Sequence, residues 1–160
     1  MRRAPFAVIP CSKEKAWDAP GVVGPRPARL AYRSPLFAAA LAWAERRAER
    51  VLIFSALHGL LAADDVVPGP YDVTFSRPDD PVVSREHVAA QAVALGIAAL
   101  GPDAAVLCAL PDDYAARLAD ALGEGGPRLD NALAEIPLHH LAAMRERLLA
   151  AKFDAIAGSA

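Results

Sequence analysis

The sequence predicts a single α/β domain over residues 1–160, a three-layer α/β/α sandwich around a mostly parallel sheet of about four or five strands. Three observations carry that expectation. Short apolar runs at 4–9, 51–54 and 104–110 suit strands covered on both faces, and stretches with helical signals separate them. Each run stops abruptly at polar residues, and ligands of open α/β sheets collect where strands end in this way. At 160 residues and 54% hydrophobic, the chain has room for one core and no second.

Taken in order, Ala4 to Ile9 reads as a strand that Pro10 ends. Cys11-Ser12-Lys13-Glu14-Lys15 then offers a hydroxyl, backbone N–H groups and two ammonium groups, an anion cradle without the glycines of a P-loop. Residues 17–29 hold Pro20, Gly21, Gly24, Pro25 and Pro27 and read as a loop of the length that often covers a site. Ser34-Pro35 is an N-cap followed by proline at the first helical position, so a helix should run to residue 48 or 49 and bury Leu36, Phe37, Ala40, Leu41 and Ala44. The strand Val51 to Phe54 completes a β-loop-α-β unit, which favours parallel pairing with the first strand and sets Cys11-Ser12-Lys13 beside Ser55 and His58. Ser55, His58 and Gly59 read as the point where that strand leaves the sheet. Pro68-Gly69-Pro70 then fixes a turn that delivers Tyr71 and Asp72 as a pair.

After a polar segment, Ser84 caps a helix expected to reach Leu100, where Gly101-Pro102 stops it. Residues 104–110 form the third strand, and Pro111 to Leu122 a helix ended by the glycine-rich stretch 123–127. Residues 128–136, which carry Asn131, read as a short strand or a turn. A helix over 137–151 closes the chain.

No apolar run approaches the roughly 20 residues of a membrane-spanning helix, and the apolar run after Met1-Arg2-Arg3 is too short for an export core, so a cytoplasmic protein is expected. Two cysteines, Cys11 and Cys108, fit a reducing compartment and exclude a Cys-rich zinc site. Asp64-Asp65 could hold a divalent metal with Asp72, but aspartates in a surface turn are the commoner reading; no metal or cofactor is expected. Charge is unevenly spread: residues 1–50 hold ten Lys and Arg against four Asp and Glu, and residues 51–160 hold seven against fifteen. A basic first third can face phosphates, because the local field governs contact with a polyanion. The plainer account is a solvated helix face on which Arg46, Arg47 and Arg50 pair with Glu45 and Glu49.

Four ordered motifs resemble a known family. Pro10-Cys11-Ser12-Lys13-x-Lys15, Ala31-Tyr32-x-Ser34-Pro35-Leu36-Phe37, Ser55-Ala56-x-His58-Gly59-Leu60-Leu61 and Pro70-Tyr71-Asp72 are similar to those of small, largely uncharacterised bacterial and phage domains related to the YaaA-like peroxide-stress proteins. The Cys-Ser-Lys and Tyr-Asp elements also resemble those of a domain in archaeosine synthase, which works on modified guanine in tRNA. Ala109-Leu110-x-x-x-Tyr114 looks like the family's third-strand motif with Leu110 in place of a glycine. Pro137-Leu138 looks like its closing element, with His139-His140 in place of a glycine-containing continuation. The resemblance implies a fold similar to uracil-DNA-glycosylase-like domains and a role at nucleotides, nucleosides or nucleic acid, without fixing a reaction.

Within that ligand class, hydrolysis of an N-glycosidic bond needs a carboxylate for the positive charge that builds on the sugar and a donor for the departing base. The expected catalytic residues are Asp72 and His58, with Lys13 as an alternative donor. Cys11, Ser12, Lys13, Lys15, Tyr32, Ser34, Ser55, Tyr71 and Tyr114 are expected to bind substrate, the tyrosines by stacking on a base. Each has a plainer reading. Tyr71 can be packed, Asp72 can cap a turn, His58 can be a turn histidine before a positive-φ glycine, and Cys11 is more readily a small buried residue than a nucleophile. The competing function is a non-catalytic module that binds nucleic acid, or a partner in a stress response, through the basic first third.

Overall fold

Side-chain alternation along one central strand builds two cores. In the computed structural model, which describes residues 3–137 and 140–158 and their side chains as far as residue 150, the strand β1 (Ala4–Pro10) turns Ala7 and Ile9 to one face and Phe6 and Val8 to the other. The chain continues through a 3₁₀ turn at Ala16–Asp18 to β2 (Arg26–Pro27), α1 (Ala28–Ala31), α2 (Pro35–Arg47), β3 (Ala48–Ser55), β4 (Gly59–Ala62) and β5 (Val66–Val67). The second half comprises α3 (Arg85–Leu95), β6 (Ala105–Cys108), α4 (Asp112–Leu122), β7 (Arg128–Asn131) and α5 (Leu141–Gly158).

Five strands form one sheet in the order β4-β3-β1-β6-β7, and β2 pairs with β5 in a separate two-stranded ribbon. β1 lies parallel to β3, with Val8 opposite Leu52 and Ile9 opposite Ile53, and parallel to β6 on its other side. β7 is parallel to β6, and β4 alone is antiparallel, as the return arm of a hairpin from β3. Ala7, Ile9 and Ile53 pack with Phe37, Ala40 and Trp43 of α2 and Met144 and Leu148 of α5. Phe6, Val8, Leu52 and Phe54 pack with Val88 and Ala92 of α3 and Leu118 and Ala121 of α4. Helices therefore cover both faces, which is why the central strands read as unbroken apolar runs.

Several boundaries differ from the sequence expectation for local reasons. Gly59 does not mark an exit from the sheet: with φ of 76° it turns the chain back into β4, and Leu60 and Leu61 join the core. α3 stops at Leu95 rather than near Leu100 because Gly96, at φ of 91°, takes the left-handed C-cap position and buries Ile97 behind it. α5 begins at Leu141 rather than at Pro137; before it, residues 132–135 make a turn that buries Leu133 and includes Glu135 at a positive φ of 71°, and Leu138 and His139 lie outside the described residues. On α2 it is Trp43 that is buried, while Leu36 and Leu41 are half-buried. Within the expected 17–29 loop, Arg26 and Pro27 form a strand pairing with Val66 and Val67. Glu45 pairs with Arg29 at 3.7 Å, and Arg50 lies over the Phe6 ring and donates to the Leu95 carbonyl. Among the described residues no helix is long and apolar enough to cross a membrane.

Candidate functional site

Parallel strands bring the ends of β1, β3 and β6 to one edge. The Cys11 N–H donates to the Phe54 carbonyl at 3.1 Å and the Ala109 N–H to the Val8 carbonyl at 3.0 Å, so the segments leaving these strands start side by side. Asn131 closes the outer end: its amide accepts from the Leu110 N–H at 2.9 Å and donates to the Leu110 carbonyl at 2.8 Å, replacing two strand hydrogen bonds.

The loop after β1 is organised by Lys15, whose side chain is turned inward and whose residue is only 4% exposed. Its ammonium donates to the carbonyls of Ser12 at 3.0 Å and Lys13 at 3.1 Å and stands 4.5 Å from the centre of the Tyr71 ring. Burial pulls its pKa below the ordinary lysine range, with Cys11, Asp72, Asp18 and Glu14 opposing. Ser12 is engaged within the loop, donating to the Glu14 carbonyl at 2.5 Å and accepting the Arg33 N–H at 3.2 Å. Lys13 is exposed.

Behind the loop, the hydroxyls of Tyr32, Tyr71 and Ser55 form one chain. Ser55 Oγ accepts N–H groups from Leu57 at 3.2 Å and His58 at 3.0 Å, which uses its lone pairs, so its proton goes to Tyr71 at 2.6 Å. Burial pushes the Tyr32 phenol up to about 12 and raises that of Tyr71 as well, so both stay neutral. His58 packs edge-on to Tyr71 with ring centroids 5.0 Å apart, and burial lowers its pKa, which keeps the imidazole neutral at pH 7. Gln91 of α3 fixes this corner by accepting from the Leu60 N–H at 2.8 Å and donating to the His58 carbonyl at 2.9 Å.

Alternation sends Tyr71 inward and Asp72 outward. The Asp72 side chain is 66% exposed, and Arg77 holds it from one side, with Nη2 at 2.9 Å from Oδ1 and 2.7 Å from the Asp72 carbonyl. Arg77 in turn is held by Asp80 at 2.8 Å, which also accepts the Thr74 N–H at 2.9 Å. Hydrogen bonding and charge from Arg77, with smaller contributions from Lys13 and Lys15, keep the Asp72 carboxyl below the usual carboxylate range. Phe75 anchors this segment, packed against Phe54 and at 4.7 Å from Tyr114. The Tyr114 hydroxyl meets Cys11 Sγ at 3.4 Å, and burial raises the phenol's pKa.

These groups surround three adjoining clefts. One of about 310 Å³ is walled by Cys11, Ser12, Lys13, Lys15 and Tyr114 on one side and by Asp72 to Thr74, Ser76 and Arg77 on the other. It meets a cleft of about 440 Å³ at Lys13, Lys15 and Asp72, where Tyr71 also lines the wall. On the other side it meets one of about 610 Å³ at Cys11, Ser12, Lys13 and Tyr114, bounded by the first turns of α2 and α5.

Six of the expected site residues thus line the central cleft, and Tyr71 lines its neighbour. Tyr32, Ser55 and His58 are not among the residues lining these three clefts; Tyr32 and Ser55 lie behind Tyr71. Ser34 borders the third cleft, but its Oγ accepts the Phe37 N–H at 3.0 Å as the N-cap of α2. Leu138 and His139, in the closing elements, and Met1 and Arg2 lie outside the described residues. Sequence reasoning missed Arg77, Phe75 and Gln91; the one signal was Gln91, a polar residue on the helix face between Val88 and Ala92. Among the described residues, no three His, Cys, Asp or Glu side chains converge as a metal ion requires.

The class defined by this architecture is an α/β protein whose polar residues gather where parallel strands end. More particularly, residues 6–147 match the family described as "Family of unknown function (DUF6884)", and the chain belongs to that family. It is also 38% identical over 86 residues to the uncharacterized protein YfjM of Bacillus subtilis (strain 168), an alignment covering 54% of this chain and 57% of that protein. The chain therefore spans little more than half the length of that relative. No solved structure matches it.

Proposed function

We propose that the central cleft binds a nucleotide unit and hydrolyses its N-glycosidic bond. The observation that carries this reading is a carboxylate kept ionised by Arg77, placed across a cleft from the exposed ammonium of Lys13. In such a reaction the C1′–N bond breaks, its electron pair leaves with the base, and water adds to C1′ and gives up a proton. Asp72 stabilises the positive charge on the sugar and orients the water, a role for which an ionised, pre-positioned carboxylate is suited. Lys13 donates to the departing base. His58, neutral and packed behind Tyr71, supports the position of that ring. Tyr71 and Tyr114 present aromatic surface toward the ligand space, and their neutral phenols add no repulsion toward an anion. The likeness of the Cys-Ser-Lys and Tyr-Asp motifs to a domain acting on modified guanine in tRNA supports the same ligand class.

The test is free-base release from modified and unmodified nucleotides and from single- and double-stranded DNA and RNA, compared between wild type and Asp72→Asn. The variant keeps shape and removes charge. It is expected to lower the rate by about 10²–10³ while binding and thermal stability stay close to wild type. Rates retained in Asp72→Asn would remove the assignment, and wild-type inactivity on every substrate would favour a binding module.

A further inference from the structure

A second concave surface lies beside the Lys15 and Tyr32 backbone bridge. It is a depression of about 360 Å³ lined by Ala16, Val22, Leu30 and Tyr32 and by three arginines, Arg26, Arg29 and Arg33. Arg26 lies in β2 opposite Val67, and its Nε is buried with no hydrogen-bond partner among the described residues. A buried guanidinium nitrogen left unpaired is costly, and an anion seated in the depression offsets that cost through its charge rather than by reaching the buried atom. Two carboxylates lie near by without meeting that need. Glu45 reaches Arg29 at 3.7 Å with both side chains about half exposed, and Asp18 is bound to the Lys15 N–H at 2.8 Å. Such an exposed pair yields readily to a stronger anion.

Position then narrows the ligand. The Arg33 N–H donates to the Glu14 carbonyl at 2.9 Å and to Ser12 Oγ at 3.2 Å, so the arginine surface continues from the loop that walls the central cleft. Leu30, 58% exposed, adds apolar surface between the cations. A free nucleotide held in the central cleft has no part that needs a second basic depression around the corner; a chain of phosphates does. We propose that Arg26, Arg29 and Arg33 bind the phosphodiester backbone of a nucleic-acid strand, and that the substrate is therefore a polynucleotide. The substrate assignment rests on the glycosidic reading of the cleft, whereas the phosphate site stands on the arginines alone.

The experiment measures binding of a labelled single-stranded oligonucleotide, as RNA and as DNA, against binding of a mononucleotide, over a range of salt. The proteins are wild type, Arg33→Gln, the Arg26→Gln/Arg33→Gln double variant and its Lys/Lys counterpart, with thermal unfolding as the folding control. Oligonucleotide affinity should fall about tenfold or more in the double Gln variant, with the salt slope reduced by roughly 0.7 per lost contact. Lys/Lys should recover most of this, Arg33→Gln alone should show part of it, and the mononucleotide should be unaffected. Unchanged oligonucleotide affinity, equal losses for both ligands, or a wild type that binds the oligonucleotide no tighter than the mononucleotide would overturn the proposal. Arginine-dependent strand binding without base release in wild type would leave the phosphate site standing and remove the glycosidic reading. A difference between the RNA and DNA arms identifies the strand.

Discussion

Two neighbouring residues, Tyr71 and Asp72, divide the labour of the site. Tyr71 joins the buried hydroxyls of Ser55 and Tyr32, so Tyr71→Phe removes the 2.6 Å acceptor of a Ser55 hydroxyl that is 0% exposed and leaves Tyr32 as its remaining hydroxyl neighbour. The expected loss is about 1–2 kcal/mol in urea unfolding, and a loss near zero would mean that the hydroxyl chain adds nothing to the fold. Asp72 faces solvent and owes its low pKa first to Arg77. If the ionised form is the active one, activity disappears as pH falls through the Asp72 pKa, and Arg77→Ala raises that pKa toward the ordinary carboxylate value. The acid limb of the rate profile should therefore move to higher pH in Arg77→Ala, while the Lys15→Arg limb stays near wild type. An unmoved limb would detach Arg77 from the carboxylate. The pair itself was legible from its proline-flanked turn. Arg77 was not, because a clamp formed across an irregular segment follows no helical or strand period.

At the scale of elements, the hairpin between β3 and β4 depends on Gly59. A Cβ there would fall 2.2 Å from Gln91 Oε1 and would sit on a backbone at φ of 76°. Gly59→Ala should cost about 2–3 kcal/mol, from left-handed strain and from displacing an amide that holds both the Leu60 N–H and the His58 carbonyl. Equilibrium unfolding measures it, and a neutral result would show that Gln91 moves aside freely. This hairpin is also where sequence reading fell short. Gly59 carried the positive φ expected of it, yet four residues of β4 were too few for a strand pattern to stand out from the apolar run. The longer signals held: Ser34 and Ser84 cap their helices, and β1, β3 and β6 lie parallel. Gly96 ended α3 early because a single glycine inside a helical pattern is tolerated as often as it terminates one.

Across the whole molecule, the sheet is stable only with both faces covered, and its α2 side relies on α5. Met144 and Leu148 are 0% and 1% exposed and pack into the core that holds Phe37 and Trp43. Each such side chain is worth about 2–5 kcal/mol when truncated in place, a large part of the 5–15 kcal/mol typical of a domain. α5 also carries Leu141 and Arg145 into the wall of the cleft of about 610 Å³, so the element that covers the sheet also shapes the ligand space. Ending the chain after residue 140 should therefore expose the α2 face, abolish cooperative unfolding and give binding of a hydrophobic dye. Ending it after residue 150 keeps Met144 and Leu148 and should keep a single cooperative transition. If the chain ended at residue 140 unfolded with wild-type cooperativity and midpoint, α5 would be a wall of the cleft and no part of the core.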